Sequence, residues 1–285
     1  MKKWNMIIDV DRCENCHNCT LAVKDEYVGN RFDGYSDSLP LHGDPIFDIR
    51  RRQRGSGHMV DVSYVPVTCN HCDDAPCIKG ARNGEIYKRS DGIVMIDPDK
   101  AKDQKYLVKT CPYGQIKWNE ELSLPQTWIF DAHLLDQGWT ETRVQQSCPT
   151  KAIECVQLDD EERERRIRSE ELEEWQPELG TKPRVLYKNL HSYRKEFISG
   201  SVEFEEQGHV ECLEGAKVEL LQGGRVVSEA ESDAFGDFKF NRLEANSGTY
   251  TVRISKSAFS PFTRGIQLGE SIHMGNVRLE YQSRS

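Results

Sequence analysis

The chain has 285 residues, enough for two domains, and carries 38 Lys and Arg against 47 Asp and Glu, a formal net charge of −9. That balance argues against nucleic acid as a partner. No stretch is long and apolar enough to span a bilayer, so no direct membrane span is expected.

The opening M-K-K-W-N-M-I-I-D-V has a short apolar run, soon broken by Asp9. It is too short for a secretory signal and reads as a strand that delivers Asp11 and Cys13. Then comes C-E-N-C-H-N-C, with Cys13, Cys16 and Cys19 at C-x2-C-x2-C spacing. A cubane [4Fe–4S] cluster takes four thiolates, one per iron. In two-cluster ferredoxins the run continues to a fourth Cys before Pro, which ligates the other cluster. Here the position four residues after Cys19 is Val23. The run therefore supplies three ligands, and its fourth should be a lone Cys before Pro elsewhere in the chain.

Residues 26–60 read as irregular, with a basic cluster Arg50-Arg51-Arg52-Gln53-Arg54. That cluster is either a contact for a partner or for anionic groups, or a solvated loop. V-D-V-S-Y-V-P-V (60–67) alternates as a strand and leads into C-N-H-C-D-D-A-P-C, with Cys69, Cys72 and Cys77. Ala81 stands where a fourth Cys of that run would sit. E-I-Y-K-R-S-D-G-I-V-M-I-D-P-D-K (85–100) predicts a hairpin turning at Ser90-Asp91-Gly92.

Two lone Cys-Pro pairs follow, Cys111-Pro112-Tyr113-Gly114 and Cys148-Pro149-Thr150. Ahead of the first, ferredoxin spacing finds Ala101, Gln104 and Leu107; ahead of the second, motif alignment gives Thr127, Phe130 and Val144. Each surviving set is thus complete and each sister set wholly absent. The expected ligands are Cys13, Cys16, Cys19 and Cys148 for one cluster, and Cys69, Cys72, Cys77 and Cys111 for the other. Structural zinc also takes four cysteines, usually as paired C-x2-C knuckles, a form neither set has. A disulfide framework is disfavoured by three cysteines within seven residues. Cys155 and Cys212 read as small apolar residues. His17 and His71, inside the runs, either donate to a cluster or are exposed loop residues. His133 has no evident partner.

Residues 159–175, D-D-E-E-R-E-R-R-I-R-S-E-E-L-E-E-W, predict a charged, solvent-facing helix. Pro177, Gly180 and Pro183 mark a linker, and P-R-V-L-Y-K-N-L (183–190) reads as extended, along a partner or the surface. From about Phe197 short alternating strands begin, with a turn at Gln222-Gly223-Gly224-Arg225. About seven strands are expected, a β-sandwich. The spacing of Gly236, Phe238, Phe240, Gly248 and Tyr250 resembles prealbumin-like and carboxypeptidase-regulatory-like sandwiches. No Walker loop, G-x-G-x-x-G, G-x-S-x-G or H-E-x-x-H is present, and no catalytic residue is assigned.

The order C-x2-C-x2-C, C-x2-C-x4-C, C-P-Y-G, C-P-T resembles the iron–sulfur subunits of the dimethyl-sulfoxide-reductase family of molybdenum or tungsten enzymes. The segments D-G-I-V-M-I-D-P-D-K-A-K, A-H-L-L-D and E-L-G-T-K-P-R-V-L-Y-K-N-L, with the attached sandwich, narrow the resemblance. They are similar to small subunits of family members that act on polyhydroxylated phenolic rings, transhydroxylases and resorcinol-type hydroxylases. The resemblance implies an α+β chain with two ferredoxin-like [4Fe–4S] modules, residues 1–25 with 115–158 and residues 60–114, within an iron–sulfur region 1–158. A charged helix and linker (159–195) and an all-β sandwich (196–285) would follow. It implies electron transfer, two [4Fe–4S] clusters here, and a large catalytic partner holding a bis-molybdopterin guanine dinucleotide with molybdenum or tungsten. At Val23, Thr127, Phe130 and Val144 the chain departs from the transhydroxylase pattern, which implies cysteines of a third cluster there. The alternatives are an assembly subunit whose clusters stay idle in turnover and the electron-transfer subunit of another molybdenum reductase. Cysteines that must stay reduced suit a cytoplasmic location.

Overall fold

The computed structural model describes residues 1–282, which divide into two units: Met1–Arg51 with Tyr64–Leu190, and Arg52–Ser63 with His191 onward.

In the first unit, β1 (Lys3–Asp9) is followed by α1 (Asn18–Tyr27), β2 (Phe47–Ser56), β3 (Met59–Thr68) and α2 (Pro76–Gly80). Next come β4 (Ile86–Lys88), β5 (Val94–Ile96), α3 (Pro98–Ala101), β6 (Lys117–Asn119) and β7 (Leu124–Gln126). The unit closes with α4 (Ala132–Leu135), α5 (Arg143–Gln146), β8 (Ile153–Leu158), α6 (Asp160–Ser169) and β9 (Val185–Lys188). The strand expected at the N-terminus is central: β1 runs antiparallel to β8, from Lys3 opposite Leu158 to Ile8 opposite Ile153. On its other edge it runs parallel to β9, from Met6 opposite Val185 to Asp9 opposite Lys188. A strand flanked on both edges and covered on both faces needs no polar alternation, which explains the run W-N-M-I-I. The predicted hairpin is present as β4 and β5. The extended segment 183–190 is β9, with Val185, Leu186 and Tyr187 all buried. Its apolar residues serve this sheet.

The charged helix is α6, started by a capping box in which Asp159 accepts from the Glu162 N–H and Glu162 accepts from the Asp159 N–H. Residues 159–190, set apart by sequence as helix and linker, belong to the first unit.

The segment expected to be irregular contains β2, which pairs with β3 as a hairpin, and the tip of that hairpin belongs to the second unit. Its arginines are answered there. Arg52 donates to the Tyr193 and Arg194 carbonyls and pairs with buried Glu196, and Arg54 pairs with Asp61 at 3.1 Å. The basic cluster is thus partly internal, because alternation along β2 turns Arg52 and Arg54 to the same side.

After the short helix α7 (His191–Arg194), the second unit contains β10 (Glu196–Glu206), β11 (His209–Cys212), β12 (Lys217–Gln222) and β13 (Arg225–Glu231). Four more strands complete it: β14 (Asp237–Leu243), β15 (Gly248–Ser255), β16 (Phe262–Leu268) and β17 (Ile272–Leu279). In one sheet β10 pairs with β11, β14 and, in parallel, β17; the other has the order β13-β12-β15-β16. Ile198, Val218, Phe238, Val252 and Leu268 share the core between the sheets. Gly236 has φ +78°, and a Cβ there would stand 2.3 Å from the Val202 carbonyl oxygen, so only glycine fits this turn.

Candidate functional site

Cys13 leaves β1 through a single 3-10 turn, Val10–Arg12, capped by the Asp9 carboxylate, which accepts from the Asp11 N–H. Asn15 (φ 58°) and His17 (φ 60°) are both left-handed, so the chain coils tightly between Cys13, Cys16 and Cys19 before α1 begins. Cys148 arrives from the C-terminal end of α5. All four sulfur-bearing residues line one small cavity, partly open to solvent, closed by Ile49, Pro66, Ala152 and Ile153. Cys16 is exposed and Cys19 buried, so this site has a solvent edge.

The second set repeats the geometry. His71, the residue before Cys72, is left-handed (φ 44°), as Asn15 is before Cys16. Pro76 starts α2 and fixes Cys77 in its first turn. Cys69, Cys77 and Cys111 pack together against Ile86, Val94, Ile96 and Leu107. Burial pushes the thiols up, Cys19 and Cys77 to about 12 and Cys72 to about 11. Such thiols give up protons readily only to a metal whose charge replaces them. Among the described residues no three Cys, His, Asp or Glu side chains converge closely enough for a single metal ion. A cubane takes its ligands spread around it, one on each iron.

Both Cys-Pro turns carry the same device. The residue three positions after the cysteine is left-handed, Gly114 (φ 66°) and Lys151 (φ 52°). The next N–H then turns back to the sulfur: Gln115 N–H to Cys111 Sγ at 3.4 Å, Ala152 N–H to Cys148 Sγ at 3.2 Å. These donors are aimed at a sulfur that carries charge when it is a ligand, which is the feature that fits the residues to an iron–sulfur group.

The positions at which the sequence reading looked for further cysteines are filled. Phe130 packs on Trp128 with ring centroids 4.9 Å apart, and His71, Trp4 and Phe47 complete an aromatic cluster. Val23 and Val144 are buried on α1 and α5, two helices in contact. Buried Asp131 (φ 52°) ties this region together: Oδ1 accepts from Tyr27 Oη at 2.7 Å and Trp128 Nε1 at 3.0 Å, and Oδ2 from the Arg143 N–H at 2.7 Å. Of the positions ahead of Cys111, Ala101 and Leu107 belong to the aliphatic core.

His71 is buried, and its Nδ1 accepts from the Val94 N–H at 3.0 Å, which leaves the proton on Nε2. Burial, with Lys88 nearby, drives the ring down to about 3, so it stays neutral. His17 is exposed. His133 is buried and meets Glu26 at 2.9 Å, the partner sequence did not provide.

Sequence reasoning missed Thr181, Lys182, Arg184 and Lys88. The Asp73 and Asp74 N–H groups donate to the Lys182 and Thr181 carbonyls, and the Arg184 N–H donates to the Asn70 carbonyl. Arg184 is 1% exposed and pairs with Asp73 and Asp160. Lys88 Nζ donates to the His71 and Cys72 carbonyls and pairs with Asp73 at 3.0 Å. Against burial, hydrogen bonds from Arg184 and Lys88 hold Asp73 at about 2. The only sequence signal was the break Gly180-Thr181-Lys182-Pro183, which reads equally as a linker.

Cys155 is buried on β8, within 3.1 Å of Thr142 Oγ1, and burial pushes its thiol far up; Cys212 on β11 is exposed. The two should differ in reactivity. Iodoacetamide on the folded, anaerobic protein is expected to label Cys212 and spare Cys155 by mass spectrometry. Equal labelling would contradict the packing of β8.

Residues 60–158 match the 4Fe-4S dicluster domain, and residues 198–280 match the carboxypeptidase regulatory-like domain. The chain is 40% identical to the pyrogallol hydroxytransferase small subunit of Pelobacter acidigallici, over 98% of this chain and 100% of that one. It is 29% identical to a putative dimethyl sulfoxide reductase iron–sulfur subunit of Halobacterium salinarum, over 66% of this chain and 80% of that one. It is 30% identical to a sulfite dehydrogenase subunit of Allochromatium vinosum, over 64% and 81%.

Proposed function

We propose, on the premise that this chain belongs to the family of iron–sulfur small subunits of molybdenum oxidoreductases, that it serves a catalytic subunit acting on phenolic rings. That partner would hold the bis-molybdopterin guanine dinucleotide and its metal. The substrate class rests on the likeness to a pyrogallol hydroxytransferase subunit along the full length of both chains. The cytoplasmic location belongs to the same reading. Among the described residues no helix is long and apolar enough to cross a membrane.

The chain would hold two cubanes in two ferredoxin-like modules, one on Cys13, Cys16, Cys19 and Cys148 and one on Cys69, Cys72, Cys77 and Cys111. The observation that supports this most is the repeated Cys-Pro turn, which brings a backbone N–H to the sulfur of each distant ligand. When bound, a [4Fe–4S] cluster supplies a one-electron centre whose potential follows its charge, its hydrogen bonds and its exposure. The residues here set those terms differently at the two sites. Ile49, Pro66 and Ile153 exclude water from the inner side of the first, while exposed Cys16 leaves an edge open. At the second, Lys88 donates to the His71 and Cys72 carbonyls, and with Arg184 it pairs with Asp73 in the loop between Cys69 and Cys77.

The protein purified anaerobically with its partner is expected to hold about eight irons in this chain, four per cubane. Redox titration followed by EPR should find two reducible signals, with at least one changing during turnover. Two clusters that never change during turnover would leave the assembly role and sink electron transfer.

A further inference from the structure

The geometry points to Lys88 as a positioning residue of the second site, whose ammonium holds the turn between Cys69 and Cys72 and raises the potential of the cluster bound there. This rests on the two-cluster reading above and deepens it. Lys88 Nζ donates to the His71 carbonyl at 2.8 Å and to the Cys72 carbonyl at 2.9 Å, and it pairs with Asp73 Oδ1 at 3.0 Å. An ammonium has three donors and a neutral amine has fewer, so these three acceptors match the charged form. Burial works against that charge, and the Asp73 carboxylate works for it. The carbonyl oxygen and the sulfur of Cys72 belong to one residue, so the charge stands beside a ligand.

Both strands of the hairpin grip this turn. Lys88 ends β4, and from β5 the Val94 N–H donates to His71 Nδ1 at 3.0 Å. Among the described residues no main-chain N–H meets the His71 or the Cys72 carbonyl, and Lys88 takes both. Asp73 has two further cations, Arg184 and, at 3.8 Å, Lys3. Arg184 in turn pairs with Asp160. Asp73 therefore keeps cationic partners without Lys88, and removing Lys88 subtracts one positive charge from the network. In the first site a donor to the cysteine run is a neutral hydroxyl, Ser147 Oγ to the Asn18 carbonyl at 3.4 Å.

A cluster gains negative charge on reduction, so a nearby cation favours the reduced form and its removal lowers the midpoint potential. The test is an EPR redox titration of the anaerobic holoprotein with its partner, comparing Lys88→Met, Lys88→Arg and Asp73→Asn. The second cluster is identified as the signal abolished by Cys111→Ala. Lys88→Met should move that midpoint to more negative potential and leave the other unmoved. Lys88→Arg keeps the charge and should lie closer to wild type. Asp73→Asn removes a negative charge from the same network and should move the midpoint the opposite way. A hold that was only structural would not give shifts of opposite sign. An unmoved midpoint in Lys88→Met with iron intact, equal movement of both midpoints, or a Lys88→Arg midpoint no higher than that of Lys88→Met overturns the inference. If Lys88→Met loses iron, Asp73→Asn decides: an unmoved or more negative midpoint there also overturns it. A wild-type protein without two signals overturns the two-cluster reading first, and this inference with it.

Discussion

Replacing Cys148 by alanine should remove the same cluster as replacing Cys13, and each variant should fall from about eight irons to about four. The two residues are far apart in sequence, yet both line the cavity shared with Cys16 and Cys19. The burial of Cys13 raises its thiol, and the neighbouring Cys148 adds to that rise. The matching pair, Cys111→Ala and Cys69→Ala, should remove the other cluster. The measurement is iron content together with EPR of the reduced protein, so that the surviving signal identifies the cluster. If Cys148→Ala and Cys13→Ala lost different signals, the crossed assignment would be wrong. A count near twelve in the unaltered protein would mean that Val23, Thr127, Phe130 and Val144 had been misread.

Asp131→Ala should be the most destabilising substitution outside the cysteines. The carboxylate is fully buried and takes three donors, two of which, Tyr27 Oη and Trp128 Nε1, have no route to water. Stranding buried donors costs about 1–3 kcal/mol each, so a total of about 3 kcal/mol or more is expected. For a protein of this size that lowers the apparent melting temperature by about 10 °C. Asp131→Asn should cost less. Its amide keeps one acceptor for Tyr27 and Trp128 but sets an N–H₂ against the Arg143 N–H. Burial raises the Asp131 carboxyl above its ordinary 3.8. A group raised in the folded state contributes stability that is full below its unfolded value and is lost as pH rises through the folded one. The deficit of Asp131→Asn should therefore shrink from acid to neutral pH in anaerobic melts. A deficit that grows instead would mean that the carboxyl titrates below its unfolded value.

Much of this was legible in the cysteines and prolines because their chemistry fixes their spacing. C-x2-C-x2-C, C-x2-C-x4-C and the two Cys-Pro pairs can be sorted into sets without knowing where any strand lies. The hairpin around Ser90-Asp91-Gly92 was legible for the same reason: its turn is local. What sequence hid was long-range. Segment 183–190 has the composition of a strand, but nothing in it says that its neighbour is Met6–Asp9. Arg52 reads as one of a solvated basic run until Glu196, far along the chain, is found beside it. Asp131 and Arg184 are ordinary charged residues in sequence. Their importance comes from burial, which no local pattern of theirs reports. Residues 26–60 were misjudged as wholly irregular because β2 is a run of arginines without the apolar alternation that marks a strand.

The position of β1 between β8 and β9 has a consequence for the order of assembly. The first three cysteines leave β1, but the cavity they line is completed only by Cys148, and the strand is not enclosed on both edges until Lys188 has been made. The second quartet has all its ligands by Cys111. A chain emerging from the ribosome can thus gather the ligands of the later motif while the earlier one is still three thiols on an unpaired strand. On the two-cluster reading, the set that opens the chain is the last to have all four of its cysteines.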